Sequence, residues 1–244
     1  MITVQLTNFQ AAAECRSILH SSKEAFTEIS YLFCGGNVYG LISDFGCGSW
    51  GLATCLGGRC DDPRGTVQVN HEEADCKALL DASCFVSEKR IRGVNDRDPS
   101  LTVRECIERA LASSKLSYTC QEIKELFHLS DGRFDRSLEY VSGEIWTLSA
   151  AIGFAANKEI YCFPWLNEMD LFRARIQFEL GIFGLLKREG KIVLIPTSHE
   201  KEIKRYCDAE ILFDRGRYRF KKSHRRPSPP KSVRAKGGYL QPFR

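Results

Sequence analysis

The sequence predicts an α/β domain built on a largely parallel core sheet. Three observations lead there. Apolar runs of strand length (VYGLIS around residue 40, EIYCF at Glu159 to Phe163, KIVLIPT at Lys191 to Thr197) are separated by stretches with helical apolar spacing. A glycine-rich turn at Gly46 stands where the first of these strands hands over to a helix. At 244 residues and 43% hydrophobic content, the chain can bury a substantial single core.

Taken in order, ITVQLTNF alternates like a strand with one buried face, and Gln10 to Glu28, centred on AAAECRSIL, reads as a helix or a long loop. ISYLFCGGNVYGLISDF breaks at Gly35-Gly36 as a hairpin would. LATCLGG is a short helix closed by glycines, DDPRG a turn and TVQVN a strand. Leu101 to Ala112, Cys120 to Leu129 and Ile145 to Ala156 give a mainly helical middle section. A single long helix spans Asp170 to Arg188, between the two later core strands, and AEILFDRGRYRF is a hairpin around Arg215-Gly216.

Composition narrows the function classes. No apolar run reaches the roughly 18 residues of a spanning helix, and MITVQLTNF is too short and too alternating for a secretion signal, so a cytoplasmic protein is expected. The eleven cysteines are dispersed, with no C-x-x-C and no histidine at ligand spacing, which argues for small buried thiols rather than a zinc site or a disulfide framework. The net charge of +4 belongs to the end of the chain: from Lys221 onward there are eight Lys or Arg residues and no acid, which leaves residues 1 to 220 at −4. That basic segment, rich in Pro, Ser and Gly, reads as disordered, with nucleic acid or an anionic surface as its conceivable contacts.

The stretch GLISDFGCGSWGL has two readings. Gly46, Gly48 and Gly51 have dinucleotide-turn spacing, and Glu72 or Glu73 lies near where such a fold needs a ribose-binding acid. The same stretch has the outline of a phosphate-binding loop without its lysine.

The order of segments along the chain resembles the nucleotide-binding domain of ABC-type ATPases over almost its whole length. ITVQLTNF is similar to that family's first strand, and VYGLISDFGCGSWGLATCLGG to its Walker A strand, loop and helix. DPSLTVRECIERAL resembles the opening of its helical subdomain. VSGEIWTLSAAIGFAANKEIYCF has the spacing from signature motif to Walker B strand. GKIVLIPTSHE resembles the strand ending in the switch histidine, and CDAEILFDRGRY the closing hairpin. The resemblance implies a P-loop NTPase-like ABC ATPase fold with a mainly parallel core sheet, an N-terminal antiparallel β part and an inserted helical subdomain at about 88–156. The domain would span residues 1–220, with the basic tail at 221–244.

Carried over position by position, the resemblance implies a degenerate site. Ser49 stands at the lysine position, Trp50 at the magnesium-ligand position, and Gly51 where a second hydroxyl residue would follow. Trp50 would either leave room for phosphate or fill the pocket. Pro164 and Trp165 replace the Walker B aspartate and glutamate, with Glu168 and Asp170 following in the loop. Glu88 takes the place of the glutamine that approaches magnesium. In the signature segment, Ser142 and Gly143 are kept and Glu144 replaces a glycine. His199 matches the switch histidine, and Phe9 the aromatic that stacks on adenine.

The expectation is an ABC-type subunit in which ATP and Mg²⁺ are possible cofactors but their usual side chains are missing. It would bind nucleotide weakly, hydrolyse it little or not at all, and act as a regulatory or assembly partner. Its partner would be a second copy or another ABC-type subunit, with a membrane-protein partner implied by the resemblance and a place at the inner face of the membrane. An active ATPase using Ser49, Glu88, Glu168 or Asp170 as substitute ligands is the alternative. A nucleic-acid-associated protein working through its basic tail is a third reading.

Overall fold

A computed structural model of the chain describes residues 1–16, 20–141, 144–179, 181–214 and 217–222. Two long strands, β1 (Thr3–Arg16) and β2 (Ser21–Cys34), pair antiparallel from Thr3–Cys34 to Arg16–Ser21. The expectation of a helix or loop at Gln10 to Glu28 is therefore wrong. Ala11, Ala13 and Cys15 face inward while Glu14 and Arg16 face out, so the alanines follow a period of two on a sheet rather than a helical face. Gly35-Gly36 is a turn, yet not a hairpin: β3 (Asn37–Ile42) leaves β2 and joins a different sheet. The turn packs tightly against a distant one, since a Cβ on Gly35 would lie 2.2 Å from the Gly190 carbonyl oxygen.

After the glycine loop, α1 (Ser49–Leu56) is buried along its whole length. The expected turn DDPRG instead opens β4 (Asp61–Val69), which pairs antiparallel with β1 through two irregularities. The short β5 (Glu72–Glu73), α2 (Cys76–Ala82) and β6 (Ser83–Phe85) follow. The helical middle comprises α3 (Val103–Ser113), α4 (Cys120–Leu126), the single turn α5 (Asp131–Phe134) and α6 (Ile145–Ala155). Reciprocal capping boxes, Thr102 with Glu105 and Thr119 with Glu122, start α3 and α4.

The strand β7 (Ile160–Cys162) is followed by two helices where one was expected. Helix α7 (Glu168–Glu179) and α8 (Ile182–Arg188) are separated at Gly181, whose φ of +80° ends one helix and cannot continue it. The chain closes with β8 (Ile192–Thr197), the single turn α9 (Glu200–Ile203), β9 (Ala209–Asp214) and β10 (Arg217–Lys222). The antiparallel pairing of β9 with β10 fits the expected hairpin, whose turn residues lie outside the described set. Most of the basic tail, 223–244, lies outside it too.

The strands form a four-stranded antiparallel sheet, β2-β1-β4-β5, and a six-stranded sheet, β10-β9-β3-β8-β7-β6, parallel except at β10. Alternation along β3 divides the core. Tyr39 and Leu41 pack with α1 and the antiparallel sheet, whereas Val38 and Ile42 pack with the helical middle. Helix α1, and the loop that starts it, are thus clamped between two sheets. No described helix is long and apolar enough to cross a membrane.

Candidate functional site

The loop between β3 and α1 folds as an anion nest. Gly46 and Gly48 have φ of +84° and +104°, which turns successive amides toward one point at the start of a buried helix. The occupant of that point is a side chain of the same protein. The Glu24 carboxylate on β2 accepts hydrogen bonds from the amides of Gly46 through Oε1, and of Gly48 and Gly51 through Oε2, all at 3.0 Å. Glu24 is 0% exposed. Two oxygens of one carboxylate thus sit where a phosphate loop offers its amides to phosphate.

Glu24 does not stand out in the sequence, because the helix or long loop expected over Gln10 to Glu28 hides the strand that carries it. Read at period two, Glu24 falls on the same inward face as Phe26, a position where an unpaired acid is costly and so demands donors. The amides that satisfy it are invisible in a sequence, since backbone donors carry no residue identity.

The surrounding side chains follow from this arrangement. Ser49, at the lysine position, is fully buried, and its hydroxyl is hydrogen-bonded to that of Ser43 at 2.6 Å, so it is committed inside the fold. Trp50 is 3% exposed, its ring centroid 6.1 Å from that of Phe45. Phe45 in turn meets Trp165 edge-on at 5.2 Å and His20 at 5.7 Å. An aromatic cluster therefore covers the outer side of the loop. After β7 the chain stays extended, the Leu166 amide donating to the Pro196 carbonyl and the Thr197 hydroxyl to the Leu166 carbonyl. This fixes Pro164 and Trp165 beside the loop, and neither can ligate a metal or take a proton.

A cavity of about 270 Å³ lies between Trp50, Pro164 and the end of β6. Two of its carboxylates are already neutralised. Glu88, expected as a free or magnesium-facing acid, is held in a two-pronged ion pair by Arg59, whose guanidinium also lies 3.8 Å above the Phe85 ring. Glu14 pairs with Arg16 at 2.6 Å. Glu168 is exposed, and Asp170, 6% exposed, has Arg173 at 3.9 Å. None of the acids named as substitute ligands reaches the nest through a contact with its amides.

His199 follows β8, where its amide donates to the Thr197 hydroxyl and its Nδ1 lies 3.9 Å from Glu202. Phe9 is 2% exposed and packed against Phe26 at 5.8 Å, so it serves the core and offers no open ring face to a base. Ser142 and Gly143 lie outside the described residues. Glu144 accepts a hydrogen bond from the Ser130 hydroxyl at 3.1 Å and has Arg133 at 3.4 Å, so its charge is shared locally. The structure thus brings the amides of Gly46, Gly48 and Gly51 to one carboxylate, with Ser49 and Trp50 on the same turn, and the polar contacts of His199 are made to Thr197 and Glu202 instead.

Comparison with known proteins agrees with this topology. The chain is 27% identical over 206 residues to the arabinose import ATP-binding protein AraG of Escherichia coli O6:H1, and 26% identical over 206 residues to its counterpart in Shigella flexneri. Each match covers 80% of this chain, and the chain spans about 40% of the length of these curated relatives. Among solved structures, the ATP-binding cassette MJ0796, described as dimeric and bound to ADP and Pi, superposes with a TM-score of 0.63 at 16% identity, covering 90% of this chain and 98% of the other. The cbiO1 protein from Clostridium perfringens, part of the ABC transporter complex cbiONQ, gives 0.62 at 13% identity, covering 89% of each. No family model matches the chain. With a nest-bearing loop between a parallel sheet and a buried helix, an antiparallel sheet against that helix, and helices on the far face, this chain is a homologue of the ABC transporter ATP-binding proteins and has the ABC ATPase fold.

Proposed function

We propose that this chain is an ABC-type subunit that keeps the fold of the ATPase domain while an internal carboxylate takes the place of the nucleotide phosphate. In this reading it binds ATP weakly at best, hydrolyses it little or not at all, and serves as a regulatory or assembly partner in a dimer with a second ABC-type subunit. The observation that carries the reading is Glu24 in the nest.

The physical argument is one of competition. A phosphate entering the nest must first expel a carboxylate held by three charge-assisted hydrogen bonds, each on the order of 1.5–3 kcal/mol. Until it does so, two negative groups face each other at short range in a partly dry site. No lysine replaces the lost attraction, since Ser49 is buried and uncharged. The donor set does not fit a magnesium triphosphate: position 50 is an indole, positions 164 and 165 are Pro and Trp, and Glu88 is spent on Arg59. The membrane-transport setting suggested by the names of the relatives is part of the same proposal, as is a dimeric state.

Thermal shift tests it. The wild type should move by less than about 1 °C with millimolar Mg·ATP or inorganic phosphate. Glu24→Ala, which leaves the buried amides of Gly48 and Gly51 without an acceptor at a cost of about 1–3 kcal/mol each, should melt lower and be rescued by phosphate, because an anion that binds only the folded state raises its stability by mass action. Metal-dependent ATP binding and turnover in the wild type would instead establish the alternative, an active ATPase with substitute ligands.

A further inference from the structure

Outside the nest, the chain carries a second cluster of reactive groups on the far side of α1. Cys60, just after that helix, and Cys76, the first residue of α2, have their Sγ atoms 3.0 Å apart across sixteen positions of sequence. Both are half-buried, so the pair is reachable from solvent, whereas Cys55 beside them is buried. The approach is imposed by backbone packing rather than by flexible side chains. Gly58, at a φ of +81°, lets the turn after α1 lie against α2 so closely that an added Cβ would fall 2.3 Å from the Cys76 carbonyl oxygen and 2.4 Å from the Leu80 nitrogen. A shift of about 1 Å would bring the sulfurs to bonding distance.

From this geometry we infer that Cys60 and Cys76 form a reversible redox site, oxidised to an intramolecular disulfide by a low-molecular-weight disulfide such as glutathione disulfide. The chemistry differs between the two thiols. The neighbouring thiols, Cys55 first and then Cys76 at 3.0 Å, lower Cys60 to about 6 against the opposing effect of burial, so it is the thiolate and the nucleophile at neutral pH. Cys55 is pushed up by the neighbouring Cys60 and by burial, and its thiol proton is donated to the Ala12 carbonyl at 3.7 Å. Cys76 is raised to about 11 by burial and by its hydrogen bond to Cys60.

In the first step the Cys60 thiolate attacks one sulfur of glutathione disulfide, forming a mixed disulfide and expelling one glutathione thiolate, which takes a proton from solvent. Neutralising Cys60 removes its own contribution to the raised Cys76, leaving that of burial. Cys76 then gives its proton to solvent and attacks the Cys60 sulfur, expelling the second glutathione thiolate. Two protein thiols are oxidised and one disulfide is reduced to two glutathiones. The new bond would tie the start of α2 to the connection between α1 and β4, closing a loop over β4 and β5, one residue from the Arg59–Glu88 pair. The site does not depend on whether nucleotide binds.

The test uses the reduced full chain in glutathione redox buffers, with acid quenching, maleimide blocking and unreduced tryptic peptide mass analysis. Trypsin releases Cys60 in the peptide 60–64 and Cys76 in 65–77, each without another cysteine. These two peptides should appear linked as the dominant disulfide, and should separate again in excess glutathione. Cys60 should be alkylated at least tenfold faster than any other thiol at pH 7, with half-maximal rate near pH 6. Cys76→Ser should accumulate glutathione on Cys60, and Cys60→Ser should lose both the link and the fast-labelling thiol. Absence of the 60–64 to 65–77 link in folded wild type overturns the inference, as does a dominant link to Cys55, or a fast thiol that survives Cys60→Ser.

Discussion

A Cβ built on Gly51 falls 3.0 Å from the Cβ of Glu24 and 3.3 Å from its carbonyl oxygen. The residue that departs from the phosphate-loop pattern at position 51 is therefore the one that gives β2 room to deliver its carboxylate. Seen this way, Gly51 and Glu24 are a matched pair, and position 51 is a filled requirement rather than a decayed hydroxyl site. Gly51→Thr, which restores the side chain expected by resemblance, should crowd Glu24 and cost about 1–3 kcal/mol by overpacking. Because the two residues touch, the cost should not add to that of Glu24→Ala; urea denaturation of the single and double variants should give a coupling energy above about 0.5 kcal/mol. Additive costs would mean that the two positions are independent.

At the scale of elements, the parts legible in the sequence are those whose pattern is set locally. The core strands β3, β7 and β8 show as unbroken apolar runs because both of their faces are covered. Helices α3 and α4 announce themselves by caps. What could not be read depended on distant partners: the alanine-rich half of β1 is a strand because β2 and β4 flank it, and Glu24 is a site because amides more than twenty residues away converge on it. Likewise, the long helix expected after Asp170 hid a break at Gly181, whose backbone geometry no spacing argument reveals. The capping box of α3 offers a direct check of local control. Thr102→Ala should destabilise the chain by about 1 kcal/mol at neutral pH. Hydrogen bonds from Thr102 lower the Glu105 carboxyl below its ordinary 4.5. Thr102→Ala keeps the backbone bond, so what it removes is the hydroxyl's share, present above that value and lost as pH falls through the lowered one. The difference in Tm between wild type and Thr102→Ala should accordingly narrow in acid.

For the whole molecule, the consequence of an internal carboxylate is that the fold around the loop is complete without a ligand. Helix α1 lies between the antiparallel and parallel sheets, and Glu24 joins them, since it extends from β2 to the loop that leaves β3. In the present chain, the aromatic Phe45 beside the loop is 42% exposed, and Met169 and Phe172 on α7 are 60% and 65% exposed, so apolar surface is available whether or not a nucleotide is present. If Glu24 supplies the charge that a phosphate would bring, association cannot be gated by filling the nest. Sedimentation velocity of the wild type should then give the same distribution of species with and without millimolar Mg·ATP, at every protein concentration tried. Glu24→Ala, with its nest open, should be the variant whose distribution responds to added phosphate or ATP. A wild type that dimerises only when ATP is added would show that the carboxylate leaves the nest for nucleotide, and the internal-phosphate reading would fail at the scale of the assembly.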